Sequence, residues 1–158
     1  MRLFRIYIYI VIVVVLETTL FSRLRIFGVS PDLLLVSVII ISVLGKRNRA
    51  IALAGFGGLL QDILSFGFYL NTVTKVIISV IVNNMKENYS GNENSLIWLA
   101  VLLFTPAVLL IQSLLLVLFF SKEISLFFVL KTIVVQTIYN LLFVPLLLFL
   151  INRFVYEQ

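Results

Sequence analysis

The residues with the greatest capacity for chemistry are charged side chains inside apolar segments. Asp62 lies in the stretch GFGGLLQDILS (55–65), Glu17 ends an apolar run, and Lys75 lies within another. The chain has neither histidine nor cysteine, which removes the commonest general base, the commonest metal ligand and any disulfide. Chemistry would therefore need a Ser–Lys arrangement or a carboxylate pair such as Asp62 with Glu17.

No supporting motif accompanies either arrangement, and the phosphate-binding pattern G-x-x-x-x-G-K-[ST] is missing from the sequence. We therefore expect a protein that is not an enzyme and that holds no cofactor or metal.

The composition indicates an integral membrane protein. Of 158 residues, 62% are hydrophobic and only 12% are charged, against about 25% charged residues in soluble domains. We predict an all-α polytopic helical bundle forming a single transmembrane domain, 1–158. The net charge of +5 comes from basic residues scattered among apolar segments. Such residues report membrane orientation, so we expect no nucleic-acid partner.

Six apolar segments are candidate helices, since a membrane span needs about 20 apolar residues. They run over 3–20, 31–44, 49–66, 70–82, 95–120 and 124–151. The second and fourth are short of a full span, so five spans with one re-entrant segment are the alternative. Glu17, Thr18 and Thr19 follow the first apolar run where a signal peptide would have small residues, so we expect a retained first helix.

The basic residues favour one orientation. With a cytoplasmic N-terminus, more of them fall on the cytoplasmic side than outside, which predicts that both termini are cytoplasmic. The inner group is Arg2, Arg5, Lys46, Arg47, Arg49, Lys86 and Arg153, and the outer group is Arg23, Arg25 and Lys122.

This topology predicts an outer polar cluster. Its members in the outer half of the membrane would be Glu17, Asp32, Asp62, Lys75 and Lys131, with Arg23 and Arg25 in the loop above. Buried charges need partners, so one hypothesis is an internal cluster whose carboxylates hold the two arginines. The alternative is a set of separate side chains that snorkel to the surface.

Small residues recur on the third segment. Ala50, Ala54 and Gly58 are spaced by four residues, and Asp62 continues the ridge. Such ridges let membrane helices approach closely, either within the chain or against a partner helix.

Two further patterns concern helix ends and polar stripes. Ser30, Pro31 and Asp32 suit the N-cap, N1 and N2 positions of a helix. Thr132, Gln136 and Asn140 form a stripe suited to interhelical hydrogen bonds or to lining a pore. Pro106 and Pro145 predict kinks in the last two helices.

Two stretches resemble the MreD family of bacterial rod shape-determining membrane proteins: PDLLLVSVIIISVLGKRNRAIALAGFGGLLQDILS and FGFYLNTVTK. The family pattern joins a Pro-Asp-Leu-Leu start, a short basic turn, a Gly-Phe-x-x-Gly-Leu-x-x-Asp-x-x-Ser run and a Leu-Gly-Leu-Asn-type segment. Tyr69 stands where that last glycine is usual. The matching positions are Pro31, Asp32, Leu33, Leu34, Gly55, Phe56, Gly58, Leu59, Asp62, Ser65, Leu70 and Asn71.

The resemblance implies a non-enzymatic scaffold of the cell-elongation machinery in the bacterial cytoplasmic membrane. Its partners would be a bitopic MreC-like protein and, in a larger assembly, MreB, RodA and a penicillin-binding transpeptidase. The basic turn 46–49 would contact membrane lipid or a cytoplasmic partner, or only set topology. The family is also similar in architecture to the substrate-binding subunits of ECF vitamin transporters. The alternative function is therefore a small-molecule-binding transporter subunit.

Overall fold

The structure is a computed structural model that describes residues 2–23, 25, 27–65, 69–120 and 125–153. These residues form six α-helices and no strand, as predicted. A single π-helical turn, Glu17–Phe21, extends the first helix. The helices are α1 (Arg2–Leu16), α2 (Leu33–Leu44), α3 (Arg47–Ser65), α4 (Leu70–Asn88), α5 (Glu93–Phe120) and α6 (Leu126–Ile151).

Three helical stretches in the described part of the chain are long and apolar enough to cross a membrane. They are Phe4–Phe21, Glu93–Leu118 and Leu126–Ile151. On α5 and α6 the outward faces expose large apolar side chains, among them Leu114, Leu118 and Leu142. Long apolar helices with apolar outward faces are typical of a bundle surrounded by lipid.

The short helix α2 lies at the centre of the bundle. Every residue from Leu33 to Val43 is buried, and α2 packs against each of the other five helices. A helix that is apolar on all sides is stable only when it is covered on all sides. Its two serines are paired, Ser37 with Tyr9 (2.9 Å) and Ser42 with Ser79 (2.9 Å).

Helix α4 is longer than the predicted segment 70–82. It continues to Asn88, so residues 89–92 alone connect it to α5. The prediction ended the helix where apolar residues gave way to NNMKEN. Backbone hydrogen bonding does not require apolar side chains, and Met, Lys and Glu are good helix formers.

Helices α5 and α6 both continue through their prolines, Pro106 and Pro145. The kinks predicted at these positions stay predictions.

Candidate functional site

Asp62 holds the beginning of α4 against α3. The Asn71 backbone N–H and side-chain amide donate to Asp62 Oδ1 at 3.2 and 3.0 Å. The Thr72 backbone N–H and hydroxyl donate to Oδ2 at 2.8 and 2.6 Å. The first N–H groups of a helix have no partner within it, and a carboxylate also suits the positive end of the helix dipole. Asp62 thus serves as the N-terminal cap of a neighbouring helix.

Gly58 makes this contact possible. A Cβ at position 58 would lie 2.6 Å from Thr72 Cα and 2.9 Å from Thr72 N, far inside van der Waals contact. Gly58 lies one helical turn before Asp62, so the two residues act on the same part of α4. The glycine admits the α4 backbone, and the aspartate then binds its N–H groups.

The conformation of Tyr69 explains why the N-terminus of α4 is capped by a residue of another helix. Tyr69 precedes α4 in the left-handed conformation (φ 57°, ψ 12°), and its own side chain makes no capping hydrogen bond. Left-handed backbone costs a residue with a Cβ about 1–2 kcal/mol relative to glycine. A glycine at this position would be free of this strain.

Two further carboxylates cap the central helix α2. Asp32 Oδ1 accepts from Leu35 N at 2.7 Å, and Glu17 Oε2 accepts from Leu34 N at 3.0 Å. Asp32 is therefore the N-cap, which corrects the predicted N2 position and places Pro31 before the helix. Gln61 of α3 donates to Glu17 Oε1 at 2.6 Å. Glu17 thus joins the end of α1 to both α2 and α3.

Lys75 is fully buried and pairs with one of these carboxylates. Its ammonium lies 3.1 Å from Asp32 Oδ2 and 3.3 Å from Asn71 Oδ1. A buried ammonium needs both an opposite charge and hydrogen-bond acceptors, and Asp32 and Asn71 provide them. The ion pair also joins α2 to α4.

Side-chain amides join the last two helices, α5 and α6, to each other and to the rest of the bundle. Asn140 Oδ1 accepts from Asp32 N at 2.9 Å, and Asn140 Nδ2 donates to Thr105 Oγ1 at 3.1 Å. Gln112 of α5 donates to Asn71 Oδ1 at 3.4 Å. Asn140 therefore makes the interhelical bonds predicted for the α6 stripe, whereas Thr132 bonds to a carbonyl of its own helix.

These groups form one connected assembly around the N-terminal ends of α2 and α4, which we call the helix-end cluster. All six helices contribute to it. Its members are Glu17, Asp32, Gln61, Asp62, Asn71, Thr72, Lys75, Thr105, Gln112 and Asn140. Three carboxylates face one ammonium and two helix N-termini, so the partial positive charges of the helix ends offset part of the excess negative charge.

Three residues of the predicted outer cluster lie outside the helix-end cluster. Arg23 and Arg25 are exposed, and neither forms an ion pair with a described carboxylate. The Lys131 ammonium nitrogen instead lies 5.8 Å from the centre of the Phe27 ring. The prediction that carboxylates hold the arginines is corrected, because helix N–H groups and Lys75 occupy the acceptor oxygens.

The small-residue ridge of α3 is covered by this chain. Ala50, Ala54 and Gly58 are buried, while Gly55 is half-buried with room beside Val76. The structure therefore uses the ridge for intramolecular packing and leaves little of it for a partner helix.

Sequence reasoning missed Gln61, Thr72, Thr105 and Gln112. Isolated polar residues in apolar segments were the available signal, but their spacing along the chain does not indicate which helix end they meet.

Comparison with models of known families, with curated proteins and with solved structures finds no match.

A cavity with a largely apolar lining lies apart from these polar groups. It occupies about 720 Å³ between α1 and α6. None of the helix-end cluster lines it. No group of three or more potential metal ligands occurs among the described residues. The polar groups of the helix-end cluster are engaged in holding helix ends together.

Proposed function

We propose that this chain is an MreD-like scaffold of the bacterial cell-elongation machinery. It would lie in the cytoplasmic membrane with both termini in the cytoplasm. It would bind an MreC-like bitopic protein and, through a larger assembly with MreB, RodA and a penicillin-binding transpeptidase, help to maintain rod shape and peptidoglycan synthesis.

The contact between Asp62 and the α4 N-terminus carries the proposal. The family-like pattern includes Gly58, Asp62 and Asn71, and these residues meet at one contact, with Thr72 Cα pressed against Gly58. Position 69, where the pattern has glycine, has the left-handed backbone that glycine favours. The conformation thus gives a physical reason for each of these elements of the pattern.

The same contact favours a structural role over chemistry. Every oxygen of Asp62 and Glu17 accepts a hydrogen bond from a helix end or from Gln61. Carboxylates used in this way stabilise helix positions. A transporter subunit that binds small molecules would need such groups to face an open pocket.

The partner helix would contact an exposed apolar face, since the α3 ridge is already packed. Candidate faces are marked by Ile77 on α4, Leu114 on α5 and Leu142 on α6. The MreC-like helix would gain van der Waals packing there, and on α5 the half-buried small residue Ala107 would allow a close approach. The helix-end cluster would keep the six helices in a fixed arrangement.

The decisive experiment is native mass spectrometry of the tagged chain, purified from its own cells in mild detergent. The proposal expects a co-purified single-span protein with a large extracytoplasmic domain. A retained small molecule without any protein partner would instead favour the transporter subunit.

A crosslinking series would then locate the interface. The chain has no native cysteine, so Ile77→Cys, Leu114→Cys and Leu142→Cys each provide one unique attachment point for a photo-crosslinker. Crosslinks confined to one of the three faces would identify the partner surface. Equal crosslinking from all three would indicate non-specific contact and count against a defined scaffold interface.

A further inference from the structure

The apolar cavity between α1 and α6 is a groove with two different ends. At one end the rings of Phe21 and Phe143 pack edge to face, with centroids 5.3 Å apart. Arg5 and Arg153 line the other end, near the beginning of α1 and just after α6. The groove walls include Ile8, Ile12, Leu16 and Leu20 from the first helical segment and Leu146 and Leu150 from α6.

This combination suits an amphiphile with an anionic head. The volume of about 720 Å³ falls within the range of roughly 300–1,000 Å³ that holds small ligands. The Tyr9 hydroxyl is already bonded to Ser37 at 2.9 Å, and Arg5 and Arg153 are the charged residues of the lining. Arginine binds phosphate through paired N–H donors.

The lining argues against a protein helix as the occupant. Helices in lipid pack closely where glycine, alanine or serine lets the backbones approach. No residue of these three types lines the groove, which is walled by isoleucine, leucine and valine together with two aromatic rings. Flexible hydrocarbon can follow such an uneven wall better than a rigid helix.

The groove also has a suitable length. From Arg5 to Leu20 the rise is about 22 Å at 1.5 Å per residue. One leaflet of a bilayer contributes about 15 Å of hydrocarbon, half of roughly 30 Å. An acyl chain entering beside the arginines can therefore lie within the groove over the full depth of its leaflet.

We propose that this groove binds one anionic phospholipid, with its phosphate between Arg5 and Arg153 and an acyl chain along Ile12 and Leu150. The proposal rests on the groove alone and does not depend on the scaffold function.

The test uses the full chain in nanodiscs that contain equimolar phosphatidylglycerol and phosphatidylcholine with identical acyl chains. Native mass spectrometry then measures which lipid stays bound after the disc is released. The natural chain should retain one phosphatidylglycerol with at least about fivefold preference over phosphatidylcholine. Arg5→Gln with Arg153→Gln should abolish that preference.

Two matched variants distinguish lipid binding in the groove from a general effect of positive charge on the surface. Arg23→Gln with Arg25→Gln also removes two exposed positive charges but leaves the groove intact, so the preference should persist. Ile12→Trp keeps both arginines and fills the groove, so the retained lipid should fall severalfold. Thermal unfolding of each variant checks that the bundle is intact.

Three results would overturn the proposal. The first is no lipid preference in the natural chain. The second is an equal loss of preference in the Arg23/Arg25 variant. The third is a polypeptide, rather than a lipid, crosslinked to a photoreactive group at position 12 in cells.

Discussion

The helix pairs α3–α4 and α5–α6 are each made of consecutive helices, but different interactions hold them together. In α3–α4 a glycine admits the partner backbone and Asp62 accepts four hydrogen bonds from α4. In α5–α6 the helices are longer and more apolar, and one buried hydrogen bond joins Asn140 to Thr105 at 3.1 Å.

The two helix pairs are held together differently because they bury different groups against each other. Apolar side chains gain little by leaving lipid for each other, so helices associate through packing and hydrogen bonds. The α3–α4 pair adds four hydrogen bonds to one carboxylate at a close backbone approach, whereas α5–α6 relies on apolar packing and one interhelical hydrogen bond. Single substitutions should therefore affect α3–α4 far more than α5–α6.

The largest effect should come from Asp62→Ala. It removes the acceptor for two backbone N–H groups of α4 in a buried site, and each unsatisfied group costs about 1–3 kcal/mol. We expect the free energy of unfolding to fall by about 3 kcal/mol, measured by steric trapping in bicelles. Asp62→Asn keeps one carbonyl acceptor and should lose about half as much. Equal stability of the alanine variant and the natural chain would refute the capping role.

A smaller loss should follow Gly58→Ala. The new methyl group would meet the Thr72 backbone at 2.6 Å, and overpacking of this kind costs about 1–3 kcal/mol. Gly55→Ala is the matched control, because its nearest neighbour would be a Val76 methyl at 3.5 Å. We expect the melting temperature in detergent to be clearly lower for Gly58→Ala than for Gly55→Ala. Indistinguishable melting temperatures would show that the close approach at Gly58 has no energetic consequence.

Tyr69→Gly should stabilise the same pair. It relieves left-handed strain at φ 57°, which is worth about 1–2 kcal/mol, although glycine also increases the entropy of the unfolded chain. The expected net gain is about 0.5–1 kcal/mol in the free energy of unfolding. Tyr69→Ala is the control, since it removes the ring but keeps the strain. A gain of similar size in Tyr69→Ala would assign the effect to the side chain.

The smallest effect should come from Thr105→Val in the other pair. This nearly isosteric change removes the acceptor of the Asn140 amide, and interhelical hydrogen bonds in membranes average about 0.6 kcal/mol. We expect a loss of that order by steric trapping. A double-mutant cycle with Asn140→Leu isolates the pair energy. A coupling as large as the loss in Asp62→Ala would remove the proposed contrast between the two helix pairs.

The ends of the helices were the least predictable part of the fold. The sequence predicts that α2 begins at Pro31, two positions before its observed start at Leu33. The two agree closely because capping residues act on their own helix. The extension of α4 to Asn88 was missed, because apolar length does not limit backbone hydrogen bonding. The role of Asp62 was also missed, since its partners belong to a helix whose orientation depends on the turn at Tyr69.

The sequence by itself determined the all-helical class and the apolar segments. The hydropathy pattern also grouped Glu17, Asp32, Asp62 and Lys75 in one polar cluster, because hydropathy and the period of a helix are local properties. Only the tertiary structure decided their partners. Asp62 caps α4, Asp32 pairs with Lys75, and Arg23 and Arg25 stay exposed. Which buried donor meets which acceptor depends on how six helices pack in three dimensions, and no single segment carries that information.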